Sequence, residues 1–431
     1  MLSKAIFLGA ALSFGSLSYA NVDFSKMNTP HVSGEMIITF EEGVSLEEQE
    51  AILAQSGAVI IKSFKSSNAV LARVSSEENT LYTANIFSMS GAVKSTGLNR
   101  IFTINSVPSD PSYSSQYQYD LIGAEAAWEI TTGSKDVVVG IIDTGIVYDH
   151  PDLIDNMWQN EGELGLDSNG NDKRSNGIDD DNNGYIDDFR GWDFAEDDND
   201  PMDDHGHGTH CAGSIGASAN NGEGIAGLNW NVSLVPLRFI TAKGQGTEAD
   251  AIEAIEYATM MGFDMTSNSW GGSAIEGDED ALFNAIKAAA DADKLFIAAS
   301  GNDGRDNDSR PIYPASYELE NIISVAASDN RDTMTGFSNY GADSVDLLAP
   351  GANIYSTIKK GWFGNQYGKM SGTSMAAPIV AAAAALIKSE YPKESAVEIK
   401  ERILKGVDVI RAGKGKLTTE GRLNVYKSLT L

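Results

Sequence analysis

Three segments far apart in the chain carry a serine, a histidine and an aspartate, the residue types that nucleophilic catalysis uses. Ser374 lies in a Gly-Thr-Ser turn before an apolar stretch, His207 lies in a glycine-rich turn, and Asp143 ends an apolar run. A serine hydroxyl is a weak nucleophile at neutral pH and needs a neutral imidazole to take its proton. A carboxylate then holds the other ring nitrogen and offsets the developing charge. Each residue alone is more often structural, but the three together predict covalent catalysis by Ser374.

The apolar stretches beside these residues predict the elements that would position them. The run from Ile379 to Ile387 is too apolar for a surface helix, so it predicts a buried helix whose positive end at Ser374 favours an anionic transition state. Pro378 would fit the first turn of that helix, where backbone amides lack partners inside the helix. The run from Val137 to Ile142 predicts a buried parallel strand that brings Asp143 to its carboxyl end, where open α/β sheets place their chemistry.

Four motifs in this order make the chain resemble the subtilase family of serine proteases. They are IIDTG at 141–145 followed by His150-Pro151-Asp152-Leu153, GHGTHCAG at 206–213, AASGND at 298–303 and GTSMAAP at 372–378. The order Asp, His, Ser is the one known for subtilisins. The resemblance covers about residues 110–430. It implies a subtilisin-like α/β fold, with a mainly parallel sheet and helices on both faces.

The resemblance also implies the roles of single residues. His207 aligns with the family's general base, whereas His205 and His210 are the rival bases, and His210 is expected to be a packed structural histidine. The side-chain amide of Asn302 and the backbone N–H of Ser374 would donate to the oxyanion of the tetrahedral intermediate.

Extended peptide substrates need open backbone edges, and two glycine-containing segments resemble those that pair with substrate in the family. The walls of the S1 pocket would include Trp270, Gly271 and the segment 299–301. These stretches contain no carboxylate, so nothing there demands a basic P1 residue. The predicted substrate-binding residues are Gly244, Gln245, Gly246, Ser269, Trp270, Gly271, Ala299, Ser300 and Gly301.

An acidic segment, from Glu161 to Asp204, contains a pattern typical of calcium loops. It has sixteen acidic and three basic residues. The stretch 179–188 places oxygen side chains at positions 1, 3, 5 and 9 around a glycine at 6, although Arg190 replaces the Glu expected at 12. The segment resembles an insert of some bacterial subtilases, and otherwise a run of like charge is a solvated surface. We expect structural calcium and no organic cofactor. The candidate ligands are Asp167, Asn169, Asp179, Asp181, Asn183 and Asp187.

The N-terminal part of the chain predicts a secretory signal peptide and a small separate domain. Lys4, an apolar run to about Leu17 and Ser18-Tyr19-Ala20 predict a signal peptide at 1–20. Residues 21–106 show a βαββαβ pattern typical of an α+β ferredoxin-like domain. Its place before the protease resembles the family's pro-region, which assists folding and inhibits the enzyme, although a permanent accessory domain is an alternative. The predicted elements are strands 35–40, 59–64, 69–74 and 98–105 and helices 46–55 and 77–89.

A linker with Pro108 and Pro111 separates this domain from a catalytic domain at 107–431. Alternating strands and helices there predict a mainly parallel sheet covered on both faces. We expect no further domain at the C-terminus. The predicted strands after that of Asp143 are 234–240, 265–270, 295–299, 322–326 and 345–348, and the predicted helices besides that of Ser374 are 248–261, 281–292 and 396–404.

Composition narrows the partners and the location. A formal net charge of −30 argues against a general affinity for nucleic acid or anionic membranes. Cys211 is the single cysteine, so no internal disulfide can form, and we expect a buried, inert thiol. The expected protein is a secreted monomer, extracellular or periplasmic in transit, that acts on proteins and peptides and is inhibited by its own pro-domain.

Two other functions remain open at this point. A non-catalytic binding protein could share the fold, but no triad residue is missing. An esterase could use the same triad, but the chain has peptide-pairing edges and lacks a G-x-S-x-G elbow at Ser374.

Overall fold

The chain folds as two units, Met1–Ile104 and Asn105–Leu431. The structure is a computed structural model that describes residues 31–55, 57–74, 90–101, 107–273, 281–359, 364 and 366–431. The predicted signal peptide at 1–20 and the predicted helix at 77–89 lie outside the described residues. Among the described residues, no helix combines the length and the apolar character needed to span a bilayer.

The first unit is an antiparallel sheet packed with a helix. The sheet runs in the order β2-β3-β1-β4, as expected for a ferredoxin-like βαββαβ chain. Ser45 and Glu48 form a capping box that starts α1. Met36, Ile38 and Phe40 alternate along β1 into the core of this unit. The elements are β1 His31–Phe40, α1 Leu46–Ala54, β2 Val59–Phe64, β3 Ala69–Arg73 and β4 Val93–Arg100.

The position of β4 differs from the prediction. The strand spans Val93–Arg100 and pairs with β1, whereas the sequence predicted 98–105. β4 lies at the edge of the sheet, so exposed polar residues such as Lys94 and Ser95 are tolerated there. The prediction was wrong because it followed the apolar residues after Gly97.

The second unit contains a nine-stranded sheet in the order β14-β15-β11-β10-β9-β8-β5-β7-β6, and β12 and β13 form a separate hairpin. Neighbouring strands are parallel except for β14 and β15. The strands are β5 Gly133–Asp143, β6 Trp192–Asp193, β7 Asn231–Arg238, β8 Met265–Asn268, β9 Leu295–Ala299, β10 Ile322–Ser328, β11 Leu347–Pro350, β12 Ile354–Thr357, β13 Tyr367–Met370, β14 Asp408–Val409 and β15 Gly421–Arg422.

Helices cover both faces of this sheet, as predicted. Ile141 faces a core that includes α4 and α7, whereas the next residue, Ile142, faces a core that includes α5 and α6. Side chains of a strand alternate between faces, so a strand buried on both sides is apolar throughout. The helices are α2 Gln118–Ile122, α3 Ala124–Trp128, α4 His207–Gly216, α5 Glu248–Met260, α6 Ala281–Asp291, α7 Thr373–Glu390, α8 Ala396–Lys405 and α9 Val425–Thr430.

The strand order changes direction at β5. After β5 the chain forms β6 and β7 on one side of it and then β8 on the other side, so β5 lies between β7 and β8. Ligands of open α/β sheets bind at such a switch point, outside the carboxyl ends of the strands. Asp143 is the last residue of β5. The topology therefore places this carboxylate where a site is expected.

The other predicted elements of this unit agree with the structure within three residues at each boundary, for β7 to β11 and for α5, α6 and α8. The strands β6, β14 and β15 were not predicted. Each has two residues, too few to show a periodic pattern.

Candidate active site

The end of β5 and the start of α4 bring Asp143 and His207 into contact. His207 Nδ1 lies 2.8 Å from Asp143 Oδ1 and 3.0 Å from Oδ2. The Asp143 side chain is 1% exposed and that of His207 is 22% exposed, so the carboxylate is hidden while the imidazole reaches the surface. Desolvation alone would lower the pKa of His207, but the Asp143 carboxylate raises it above its ordinary value.

Ser374 is the second residue of α7, a helix that is buried from Met375 to Ile387. Its Oγ donates to the carbonyl oxygen of Ser269 at 3.1 Å. The buried thiol of Cys211 lies 3.8 Å from Asp143 Oδ2 and 3.4 Å from the carbonyl oxygen of Ser374. Cys211 therefore connects the segment of Asp143 with that of Ser374, and its predicted burial is confirmed.

The sequence predicted that Pro378 lies in the first turn of α7, and the structure shows that it does not. The helix begins at Thr373, so Pro378 stands where an N–H would bond the carbonyl of Ser374. Proline lacks that N–H, which leaves the carbonyl free inside the helix. The free oxygen accepts from Ser269 Oγ at 2.9 Å and from the Cys211 thiol. These bonds link the start of α7 to α4 and to the segment that follows β8.

Asn302 is held in one orientation beside the start of α7. Its Oδ1 accepts from the backbone N–H of Thr373 at 2.8 Å and from the Thr373 hydroxyl at 3.1 Å. A Cβ added to Gly372 would lie 3.6 Å from Asn302 Nδ2 and 3.5 Å from the Ser374 backbone nitrogen. Both donors therefore border the same space beside Gly372, which has no side chain to fill it. Asn302 Oδ1 lies equally near this position, at 3.6 Å, but Thr373 engages it, so Nδ2 and the Ser374 N–H are the two donors that an oxyanion placed there would meet.

The other two histidines of the motif differ in exposure. His210 is fully buried, and its Nε2 lies 2.9 Å from the carbonyl oxygen of Ile354. Burial lowers the pKa of His210 to about 4. His205 is exposed, and its ring centroid lies 6.3 Å from that of His207. Only His207 contacts Asp143 among these three.

The predicted substrate segment 244–246 is a turn after β7. Gly244 N donates to Thr241 O, and Thr241 N donates to Gln245 O, both at 2.9 Å. Gly244 has a φ of +74°, and a Cβ there would lie 3.7 Å from His205 Nε2. The turn therefore reaches the loop that precedes His207.

The segments 269–271 and 299–301 follow adjacent parallel strands, β8 and β9. Trp270 packs on Phe239 with ring centroids 5.0 Å apart, and Ser300 is buried. A Cβ on Gly271 would approach Tyr313 O at 2.9 Å, and Gly301 has a φ of +107°. Glycine is required at both positions, the first for space and the second for its backbone conformation.

Part of the acidic segment converges. Glu163, Asp179 and Asp181 each offer a carboxylate oxygen within 4.8 Å of the others. Glu163 is fully buried, its Oε1 accepts from Asp180 N at 2.8 Å, and its Oε2 has no hydrogen-bond partner among the described residues. Burial raises the pKa of Glu163, and the neighbouring acidic groups raise it further. A divalent cation would satisfy this orphaned oxygen and offset the repulsion.

The other candidate ligands use their oxygens differently. Asp167 Oδ1 accepts from the backbone N–H groups of Asn169 and Asn171 at 2.8 and 2.9 Å. Asp187 accepts from Gly177 N at 3.0 Å. The Asn183 N–H donates to Asp179 and Asp181, both at 3.1 Å. The structure thus brings Asp179, Asp181 and Asn183 together and leaves Asp167, Asn169 and Asp187 outside the carboxylate cluster.

Sequence reasoning missed Glu163 because it lies sixteen residues before Asp179, a spacing that no local loop pattern contains.

Sequence reasoning also missed two buried carboxylates, Asp110 and Asp152. Asp110 Oδ1 has no partner among the described residues, whereas Asp152 accepts from Ile225 N at 2.9 Å. Burial raises the pKa of Asp152, and the charge of Asp110 adds to that effect. Asp152 lies in the motif at 150–153 but was not predicted to belong to a site, and no local pattern marks Asp110.

Comparison with known families assigns both units. Residues 134–422 match the profile described as the subtilase family. Residues 18–99 match that of the fervidolysin N-terminal prodomain, a region that overlaps the predicted signal peptide by three residues.

Individual proteins similar to this chain are proteases. The thermophilic serine proteinase of Bacillus sp. (strain AK1) is 34% identical over 95% of this chain and 91% of its own length. Thermitase of Thermoactinomyces vulgaris is 36% identical over 75% of this chain and 99% of its own length. A solved protease structure from Pseudoalteromonas arctica PAMC 21717 is 28% identical, covers 75% of this chain and 99% of its own, and superposes with a TM-score of 0.59.

Proposed function

The chain belongs to the subtilase family of serine proteases, and from this premise we propose that it is a secreted, calcium-stabilised endopeptidase made as a self-processing zymogen. The observation that supports the catalytic roles best is the pairing of a buried Asp143 with a surface-reaching His207. Its substrates would be extended protein segments bound along 244–246 and 269–271, with the S1 pocket between 269–271 and 299–301.

The proposed reaction begins with a rotation of the Ser374 hydroxyl. In the structure this hydroxyl donates to Ser269 O. Substrate binding would turn it toward His207 Nε2, which takes the proton as Oγ attacks the scissile carbonyl carbon. Asp143 keeps its hydrogen bond with Nδ1–H and offsets the charge of the imidazolium. Catalytic hydrogen bonds are often absent or long before substrate arrives.

The negative charge then passes to the carbonyl oxygen, which Asn302 Nδ2 and the Ser374 N–H would stabilise. The C–N bond breaks as the imidazolium gives its proton to the leaving amine. Water next attacks the acyl-enzyme, His207 takes a proton from that water, and Ser374 regains its hydroxyl proton. Atoms and charges balance over the two steps without an organic cofactor.

Calcium would serve structure and not the reaction. Glu163, Asp179 and Asp181 fit it because they combine three acidic groups with an orphaned buried oxygen. The pair Asp110 and Asp152 is a second place where a cation would offset buried negative charge. When bound, the ion would fix these loops in their native positions.

The prodomain match supports a protein that begins as an inactive precursor. We infer that residues 21–106 remain bound as an inhibitor after cleavage and that residues 1–20 direct export. The active form would act as a monomer and have no role for nucleic acid or membranes, in line with the net charge of −30.

The first test is the replacement Ser374→Ala, with casein and a short-chain ester as substrates. We expect both Ser374→Ala and a serine-directed phosphonylating reagent to abolish cleavage of casein, and His207→Ala to be nearly as damaging because the triad works as a unit. Casein cleavage by Ser374→Ala at the wild-type rate would reject the assignment. Ester hydrolysis without casein hydrolysis by the wild type would favour an esterase, and inactivity on both would favour a binding protein.

A further inference from the structure

A second buried carboxylate, Asp203, lies just before the helix that carries His207. Asp203 is fully buried and accepts five hydrogen bonds. Its Oδ1 accepts from His205 N at 2.8 Å, Gly206 N at 2.7 Å and the Thr144 hydroxyl at 2.9 Å. Its Oδ2 accepts from Thr209 N at 2.9 Å and from the Thr209 hydroxyl at 2.6 Å. A carboxylate with this many donors is fixed in place.

These bonds tie together the segments of Asp143 and His207. Thr144 directly follows Asp143, and its Oγ1 also accepts from Gly208 N at 2.9 Å. A Cβ on Gly208 would lie only 2.2 Å from the carbonyl oxygen of Gly145, so the start of α4 packs directly on the turn after β5. One oxygen of Asp203, Oδ1, thus accepts hydrogen bonds both from Thr144, which follows Asp143, and from the turn that precedes His207.

The charge of Asp203 also acts on His207. His207 is the first residue of α4, where the positive end of the helix dipole disfavours an imidazolium. The Asp203 carboxylate lies at the same helix end and opposes that effect. The negative charge of Asp203 contributes to raising the pKa of His207, although less than Asp143 does.

The remaining charged or titratable groups around His207 do not replace Asp203. From the loop and α4 these are the exposed His205, the neutral buried His210 and the buried thiol of Cys211, whose pKa burial raises. Asp204 is exposed and pairs with Lys359 at 2.8 Å. Among the described residues around His207, Asp203 is therefore the one buried carboxylate besides Asp143.

We propose that Asp203 is a positioning residue of the protease, which aligns His207 with Asp143 and stabilises the imidazolium formed during the reaction. The proposal rests on the proposed triad roles. This role differs from that of an ordinary helix cap. A cap affects only the stability of α4, whereas Asp203 also affects the basicity and the position of the general base.

The test measures kcat/KM against pH for mature wild type, Asp203→Asn and the matched control Asp204→Asn, which removes an adjacent but exposed charge. A peptide amide is the substrate, and active sites are counted with a phosphonylating reagent so that misfolded protein does not enter the rates. The acid limb of the profile reports the pKa of the free general base. Loss of the Asp203 charge disfavours the imidazolium, so this limb should move to lower pH.

We expect Asp203→Asn to lower the plateau of kcat/KM by about 10- to 100-fold per active site, because a displaced base aligns poorly. Asp204→Asn should change neither the plateau nor the limb appreciably. A limb of Asp203→Asn that coincides with that of wild type, or an unchanged plateau, would overturn the proposal. Absence of phosphonylation in the wild type would instead reject the proposed function.

A second variant decides the matter if Asp203→Asn yields no folded enzyme. Thr144→Val keeps the charge of Asp203 and removes the hydroxyl that links it to the turn after Asp143. The plateau should fall while the acid limb stays at its wild-type pH. A plateau equal to that of wild type would show that the link has no positioning role.

Discussion

Single residues around the candidate site are oriented by bonds that leave their functional atoms available. Asn302 shows this most clearly, since Thr373 engages its Oδ1 and leaves Nδ2 beside the Ser374 N–H. His207 likewise has Nδ1 engaged by Asp143 and Nε2 available. Such preorganisation costs no rearrangement at the moment of reaction.

Asn302→Ala should therefore lower kcat by about 10²- to 10³-fold and leave KM nearly unchanged, because the donor acts on the transition state. Initial rates with a peptide amide measure this change. Asp303→Asn, an exposed neighbour outside the oxyanion space, is the control. A raised KM with unaltered kcat would assign Asn302 to binding of the ground state instead.

His210 makes the free energy of unfolding depend on pH. Burial holds its folded-state pKa at about 4, below the unfolded value of about 6.5. Between these pH values the unfolded chain therefore binds more protons than the folded chain does. The contribution of His210 to the free energy of unfolding is full above pH 6.5 and is lost as the pH falls toward 4. The difference between the folded and unfolded pKa values corresponds to about 3 kcal/mol of unfolding free energy.

Denaturant unfolding of phosphonylated enzyme between pH 4 and 7 would measure this dependence without autolysis. His210→Gln keeps an N–H for Ile354 O and removes the titration, so its stability should fall less steeply with acid. His205→Gln, at an exposed position, serves as the control. Identical slopes for His210→Gln and wild type would contradict the role of His210.

Among the elements, the acidic segment brings together carboxylates whose charges repel one another. Glu163, Asp179 and Asp181 converge, and the buried Asp188 lies near them, with hydrogen bonds from Asn183 and Tyr257 at 2.9 and 2.5 Å. Burial raises the pKa of Asp188 as well. A bound cation would offset these charges at neutral pH.

Calcium should accordingly raise the melting temperature of the phosphonylated enzyme. A ligand that binds only the native state adds about 2.7 kcal/mol at 100 times its Kd. The response should shrink when Asp179 and Asp181 are both changed to Asn, and persist in Asp167→Asn, which lies outside the cluster. If a chelator changes neither the melting temperature nor the autolysis rate, the segment is only an acidic surface.

At the scale of the whole molecule, two units follow each other along one chain. The first matches a prodomain and the second a subtilase domain. A tethered segment reaches an active site of the same chain at high effective concentration, so cleavage can occur within one molecule. The linker with Pro108 and Pro111 is the predicted place of the cut.

Processing between about Thr103 and Ser112 should proceed at a rate independent of dilution. Wild type should yield a mature protein that starts within 104–112, whereas Ser374→Ala should accumulate as a species that starts near Asn21. N-terminal sequencing and intact mass measure both. Normal maturation of Ser374→Ala in a host without other proteases would show that another enzyme makes the cut.

The sequence by itself determined the family, the fold class and the elements that carry Asp143, His207 and Ser374. Their motifs are contiguous, and a strand or helix buried on all sides leaves an apolar run that local reading detects. Edge strands such as β4 and two-residue strands leave no such run, so their bounds were missed or misplaced.

The tertiary structure alone decided which distant groups meet. The carbonyl of Ser374 is bonded by Ser269, Glu163 joins Asp179, and Asp203 joins Thr144 to the start of α4. Ser269 lies on the segment after β8 and Ser374 on α7, more than a hundred residues later. Hydrogen bonds and charge clusters of this kind depend on three-dimensional proximity, and a one-dimensional pattern records only neighbours along the chain.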